Sequence, residues 1–492
     1  MTRSLIVRCS LVALTMLGCI LTIGFVEQQA WAVRDWLQFF LFLLFWAAAY
    51  VILSWGRSAK KKPFYLSIVI TFLISFLLSG VLAEFFFRAR TAYIPREVLK
   101  SLPGGGEYIR KDMYVYDDAP IEVGRRFHPG ENTLLDGQSH EIVTWNGLDR
   151  FIYQPTPDKI RVHFVTDENG FRNMPPLKNQ YDIVVAGDSF STGVEVETPW
   201  PVLLSQNSEQ SVINLAIPGY GSQAESASVR LYGLDKNPKT IIMAYFEGND
   251  LRDAQFYAEA RDQNLSLAQY QAAGAPWNRR LVTLAGLRLL AVGLDRLVGL
   301  HTQSPERDGL TKPAVYPAEV TINGRRMALS FLDGYTAMLT AQQSEIEASE
   351  NWRETTAAFL EMQQLAEANN RRFVLVYIPS KPHIYLPLLP VETANAITST
   401  AGRIKIEDGQ IIPDVSLDGV PYEAFMAHID DQAVIVANFA QAHNIEFLDL
   451  TLVFQEQAAQ GKMLYFSLGT HWNPSGHELA AQTIESYLSS EP

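Results

Sequence analysis

The sequence predicts an α/β domain with a mostly parallel sheet covered by helices on both faces, preceded by three transmembrane helices. Three observations carry that expectation. Three apolar stretches, each about the 20 residues that a bilayer core requires, precede residue 88. Beyond residue 180, short apolar runs alternate with amphipathic helical stretches, the pattern of buried parallel strands and their crossover helices. The charge divides where the third apolar stretch ends. Residues 1–85 hold seven Lys/Arg against three Asp/Glu, a net +4, while the whole chain of 492 residues carries −13, which leaves −17 for residues 86–492. An acidic body of this kind argues against a nucleic-acid partner, because phosphate binding needs clustered Lys and Arg.

The apolar stretches are Leu5–Val26, Trp36–Trp55 and Phe64–Phe86. The first has the basic start and apolar run of a signal peptide, with Ala30 or Ala32 as a cleavage alternative. Two further full-length runs follow it, so a three-helix anchor over residues 1–87 is the reading adopted. The link GRSAKKKP carries Arg57, Lys60, Lys61 and Lys62, whereas EQQAWAVRD is weakly acidic. The positive-inside rule puts the N-terminus and the basic loop in the cytoplasm, and everything from about residue 88 outside the cytoplasmic membrane. Cys9 and Cys19 are the only cysteines and both fall in the first run, so the body has no disulfide framework and no thiolate metal site. The nine histidines are scattered without paired ligand spacing, and the sequence calls for no metal and no cofactor.

Residues 88–180 read as an irregular, β-containing collar, with β-prone pieces MYVYDD, HEIVTW and IRVHFV. Strands are then predicted at Asp182–Gly187, Ser211–Leu215, Thr240–Phe246, Arg372–Ile378 and Ile445–Leu448. Helices are predicted near Gln223–Leu234, Asn351–Ala368, Asp431–His443 and Ser475–Leu488. The pattern of the domain, 181–492, is interrupted by an insertion at about 254–345. Within it, Trp277–Leu300 is an apolar helix that reads as a packed, lid or membrane-surface helix. VTINGRRMALSF follows as a hairpin turning on Asn323-Gly324.

Ligand sites of such sheets form where strands end, and the candidate residues lie there. In YDIVVAGDSFSTG an apolar strand ends at Gly187-Asp188-Ser189, placing Ser189 at a helix N-terminus that favours developing negative charge. A serine hydroxyl needs a base to take its proton. His471, in the loop SLGTHWNPSGH, suits that work, whereas His477 falls inside the closing helix as a surface or packing residue. Trp472 and Asn473 shape the loop. Gly219 in VINLAIPGYGSQ and Asn249 in MAYFEGND follow two further strands. With the Ser189 N–H they supply three donors for an oxyanion hole, although a turn glycine and a helix cap would serve equally as readings of Gly219 and of Asn249-Asp250.

Four blocks in this order, GDS at 187–189, Gly219, ND at 249–250 and HWNPSGH near the C-terminus, resemble the SGNH/GDSL hydrolase superfamily from about Tyr181 onward. TDENGFRN, just before, looks like the lead-in of exported members. The resemblance implies a three-layer, flavodoxin-like α/β/α sandwich, Ser189 as nucleophile, His471 as base, and Ser189, Gly219 and Asn249 as the oxyanion hole. Two departures stand out. The family's aspartate two or three residues before the histidine is here Gly469 or Leu468, and its glycine two before the asparagine is Glu247. That leaves a Ser-His dyad whose orienting group is a backbone carbonyl, Asp250 or Asp253, with Asp449 as a further candidate.

The function expected is ester hydrolysis or O-acyl transfer on an envelope glycan or lipid, the O-acyl or O-acetyl class being drawn from the resemblance and the topology. Three plain helices offer no route for carrying an acyl donor, so a transferase requires a donor-supplying membrane partner. The competing expectation is a non-catalytic binding or assembly protein on a decayed fold, suggested by the missing acid.

Overall fold

A computed structural model of the chain describes residues 79–90, 94, 98, 115–116, 120, 122–138, 142–144, 152–154, 159–265, 270, 281–283, 286, 315–414, 417–467 and 469–490. Contacts divide the chain into two units, Met1–Asp112 with Gln271–Ser304, and Met113–Tyr270 with Pro305–Pro492. In the first unit, residues 79–89 are helical. Glu84 there accepts hydrogen bonds from the main-chain N–H groups of Val282 (3.2 Å) and Thr283 (3.0 Å). The stretches Leu5–Val26 and Trp36–Trp55, and Phe64–Phe86 as far as residue 78, lie outside the described residues. Among the described residues, no helix is long and apolar enough to cross a membrane.

The second unit is built on a five-stranded sheet: β1 (Ile183–Gly187), β2 (Val212–Asn214), β3 (Thr240–Phe246), β4 (Arg372–Ile378) and β5 (Glu446–Asp449). Their order is β2-β1-β3-β4-β5 and every pairing is parallel. This is the doubly wound order whose switch point falls between β1 and β3. All five predicted strands form, with ends shifted by a residue or so. Parallel pairing aligns the strands head to head, so Gly187, Asn214, Phe246, Ile378 and Asp449 end on one edge.

Alternation along each strand decides which layer a side chain joins. Val184, Ala186, Ile241, Met243, Tyr245, Leu375 and Tyr377 pack on one face. There they meet α3 (Ser222–Ser228), α5 (Glu350–Ala368) and α7 (Asp431–Ala442), with α1 (Ser189–Thr192), α2 (Trp200–Ser208), α4 (Asp250–Asp262) and α6 (Lys381–Tyr385) intervening in the chain. Ile183, Val185, Ile242, Ala244, Phe246, Val374, Val376 and Ile378 pack on the other face, with Trp200 and Leu204 of α2 and Ala480, Ala481 and Ile484 of α8 (Pro474–Ser489). Helices thus cover both faces, and each buried Val, Leu, Ile or Phe side chain contributes about 1.5–3 kcal/mol.

Local chemistry sets the helix ends. The Ser349 hydroxyl accepts from the Trp352 N–H (3.1 Å) at the start of α5, and Asn473 accepts from the Gly476 N–H (3.1 Å) ahead of Pro474 in α8. The predicted hairpin pairs Val315–Ile322 with Arg325–Leu332, and Asn323 and Gly324 both adopt positive φ, 48° and 74°. From Met113 onward the collar belongs to the same unit as the sheet. It forms short antiparallel pairs, and its Phe127, Val162, Phe164 and Phe171 enter the core. Helix α4 carries the regular pattern past residue 254, to Asp262.

Glu247, which stands where the family resemblance expects glycine, follows β3 and is fully buried. It accepts from the Ser380 N–H (2.6 Å), from the Tyr377 hydroxyl and from His383 Nδ1 (2.9 Å), while His383 Nε2 meets Asp430 Oδ1 at 2.9 Å. Burial alone would lower the His383 pKa, but the two carboxylates outweigh it and push the imidazole up to about 10. Burial would raise Glu247, yet the His383 charge and hydrogen bonds from His383, Ser380 and Tyr377 hold it below the usual range. A raised folded-state pKa means that the native state binds the extra proton. Stability from His383 is therefore complete below about 6.5 and is lost as pH rises toward about 10. Urea unfolding of the wild type should show this decline, and His383→Gln should be less stable at pH 6 with the difference shrinking toward pH 10. A pH-independent gap between the two proteins would refute the ion pair.

Candidate functional site

Strand β1 delivers the first group. Asp188 closes the strand and caps α1, its Oδ1 accepting from the Phe190 N–H at 2.9 Å, so Ser189 is the first residue of a helical turn. The cap leaves Ser189 half-buried with its hydroxyl at the sheet edge. Ser189 Oγ lies 2.9 Å from His471 Nε2 and 3.2 Å from Asp188 Oδ2.

The second group comes from a loop 282 residues away in sequence. A buried lysine on α6 fixes that loop: Lys381 Nζ donates to the carbonyls of Phe466 (2.9 Å), Ser467 (2.6 Å) and Gly469 (3.1 Å). The Phe466 N–H donates back to the His471 carbonyl at 3.0 Å, closing the turn. The imidazole then packs against the edge of the Phe190 ring, centroids 5.3 Å apart. Trp472 fills the space below, stacked on Phe454 at 4.9 Å.

The group that orients His471 is Glu195, which the sequence reading did not consider. Its Oε2 lies 2.7 Å from His471 Nδ1, and both side chains are largely buried, at 7% and 16% exposure. A carboxylate can only accept, so the proton sits on Nδ1 and Nε2 is left with a lone pair for the serine hydroxyl. The dyad inferred from sequence is thus a continuous Ser189–His471–Glu195 array. Asp250, Asp253 and Asp449 are engaged elsewhere. Asp250 Oδ2 accepts from the Phe246 N–H (2.6 Å), Asp253 is held by Arg252 (2.8 Å) and Asn249, and Asp449 accepts from the Thr451 N–H (2.8 Å). Burial pushes the Asp250 carboxyl well above its ordinary value, and the charges of Glu225 and Asp188 push it further. Leu468 lies outside the described residues. At Gly469, an added Cβ would come within 2.9 Å of the Phe466 Cβ, so the loop has no room for an acid there. Nothing in the sequence beside the histidine points to Glu195. The available signal was an acid six residues beyond the serine, in STGVEVE.

The donor groups take their places from β2 and β3. Ile217-Pro218-Gly219-Tyr220 forms a turn closed by the Tyr220 N–H to the Ile217 carbonyl at 3.1 Å, and Gly219 adopts φ +73°. Proline then glycine with positive φ is the type II pattern, which turns the central peptide outward. Arg125 holds the Pro218 carbonyl, so the Gly219 N–H, on the opposite side of that peptide plane, faces away from it. The turn is tied to β1 by the Ile217 N–H to the Gly187 carbonyl, 3.2 Å. Asn249 precedes α4 without capping it; its Nδ2 donates to Asp253, which leaves a second Nδ2 hydrogen. Among the described residues, the Ser189 and Gly219 N–H groups make no hydrogen bond.

His477 is a packing residue. It is buried, and its Nδ1 accepts from the Trp200 N–H at 3.2 Å. Burial, aided by the Arg172 charge, pulls it down to about 3, so it stays neutral beside the site.

No protein-family model and no curated protein matches this chain. Among solved structures, it is similar to a GDSL-like lipase from Bacteroides thetaiotaomicron VPI-5482, with 11% identity over 64% of this chain and 91% of that one, at a TM-score of 0.25. It is similar to a putative acylhydrolase from Bacteroides fragilis NCTC 9343, with 12% identity over 64% and 88%, at a TM-score of 0.25. A gut microbial diltiazem-metabolizing enzyme is matched with 11% identity over 64% and 48%, at a TM-score of 0.27. Superposition of this degree leaves the roles of the residues to the distances given above.

Proposed function

We propose that this chain is a serine esterase or O-acyltransferase of the SGNH/GDSL type. One observation carries the reading: Ser189 Oγ, His471 and Glu195 form an unbroken array with links of 2.9 and 2.7 Å. In it, Ser189 Oγ attacks the ester carbonyl while His471 Nε2 takes the hydroxyl proton, and Glu195 stabilises the imidazolium that forms. The tetrahedral oxyanion is received by the Ser189 and Gly219 N–H groups and by Asn249 Nδ2. His471 then returns the proton to the leaving alcohol as the C–O bond breaks, and an acyl-serine remains. Water completes hydrolysis by the reverse sequence, and a glycan hydroxyl in its place completes transfer.

The substrate proposed is an O-acyl or O-acetyl ester of an envelope glycan or lipid. Its support is the apolar lengths within residues 1–87 and the basic loop after Trp55, which favour a membrane-anchored chain facing outward. The alternative of a non-catalytic scaffold rested on the missing acid, and Glu195 takes away that ground.

Two outcomes are expected with the purified full chain and a p-nitrophenyl ester. Ser189→Ala should reduce kcat to background and Glu195→Gln should lower it by about 10³–10⁴-fold, since a triad carboxylate holds the tautomer. Ser189→Ala hydrolysing at the wild-type rate would end the nucleophile assignment. Separately, Asn249→Ala should cost about 10²–10³-fold in kcat, the usual loss of one oxyanion donor. An unchanged kcat would remove Asn249 from the hole.

A further inference from the structure

The lead-in TDENGFRN, residues 166–173, has no place in the chemistry just described, yet it folds tightly around one buried cation. Asp167 Oδ1 accepts from the Asn169 (2.7 Å) and Phe171 (3.1 Å) N–H groups, and Asp167 Oδ2 accepts from Asn173 Nδ2 (2.7 Å). Gly170 makes the bend at φ +82°, where a Cβ would meet the Phe127 carbonyl oxygen at 2.1 Å. Asn173 and the Asn214 backbone exchange two hydrogen bonds, 2.8 and 2.9 Å, and Asn214 Nδ2 continues to the Ser191 carbonyl at 2.8 Å. The turn is thereby fixed to β2 and to α1.

What the turn holds is Arg172, 6% exposed, with its guanidinium against the Phe164 ring at 5.3 Å. Its Nη1 donates to the carbonyls of Thr192 (2.9 Å) and Gly193, and its Nη2 to those of Val196 (2.7 Å) and Glu197 (3.2 Å). Those four carbonyls flank Glu195 on both sides. The stretch from Gly193 to Pro199 lies between α1 and α2 and has no ladder of its own; the Val196 N–H reaches the Gly193 carbonyl (3.1 Å), and Arg172 meets the Val196 and Glu197 carbonyls. A planar fork satisfies them together and fixes their mutual geometry, which a single ammonium does not. We propose that Arg172 is the positioning residue for Glu195: by gathering the carbonyls on either side, it sets the loop conformation that brings Glu195 Oε2 to His471 Nδ1. The proposal rests on the triad reading given above.

Full-length Arg172→Lys keeps the buried charge but loses the fork. It should lower kcat by about 10–100-fold with KM changed less than about twofold, as a misplacement of about 1 Å does. In the Glu195→Gln background the same change should cost no further activity, because its effect passes through Glu195. A role confined to folding would multiply the two losses and would lower the unfolding midpoint in step with kcat. Independent of turnover, the Nδ1–H proton resonance of His471 should be seen in the wild type and lost or moved in both Glu195→Gln and Arg172→Lys. Arg172→Lys with wild-type kcat and an unmoved resonance, or with losses that multiply, would overturn the proposal. Undiminished hydrolysis by Ser189→Ala would overturn the triad reading instead, and the resonance would still decide the role of Arg172.

Discussion

The hydrogen bond between Glu195 and His471 joins residues 276 positions apart, and much of the surrounding architecture serves to hold its two ends. Neither end sits on a long regular element. Glu195 lies in the connection between α1 and α2, and His471 in the loop before α8. Loops of that kind wander by more than the few tenths of an ångström that an aligned carboxylate–imidazole contact tolerates. Rigidity is supplied from behind, by Arg172 gathering carbonyls around Glu195 and Lys381 gathering carbonyls ahead of His471.

The two cations share a physical logic. A buried charge is costly unless its donors are met, and carbonyl dipoles meet it without adding a second full charge. Arg172 is pulled down by burial to about 10, which leaves it protonated at neutral pH. Glu247 and His383 follow the other route, a charge pair between the turn after β3 and helix α6. That pair ties β3 to α6, and α6 carries Lys381. The glycine that the family resemblance expects at 247 has thus become part of the support of the histidine loop.

The strands were legible because each reads as an apolar, β-rich run with turn residues at its ends, and a sheet buried on both faces has no other way to be written. Helices α5, α7 and α8 were legible through their amphipathic spacing. Ser189, Gly219 and Asn249 were read just past strand ends, which parallel pairing brings to one edge, and His471 in the loop before the closing helix. The roles expected of them came from the resemblance to the SGNH/GDSL superfamily.

The acid was a different kind of problem. Sequence spacing can place a partner only where local geometry repeats, as along a helix or a strand, and the contact between Glu195 and His471 crosses two irregular loops. Asp250 and Asp253, with Asp449 as a further candidate, were the acids considered along the chain; folding commits each of them to a backbone N–H or to Arg252 and Asn249 instead. The sequence by itself determined the strands of the parallel sheet and the edge on which they end, because these follow from periodicity, and the contact of Ser189 with His471 is the part of the expected site that the structure brings together. Tertiary structure alone decided that Glu195 faces His471, because the contact joins two irregular loops 276 residues apart and the Arg172 fork gathers the carbonyls on either side of Glu195.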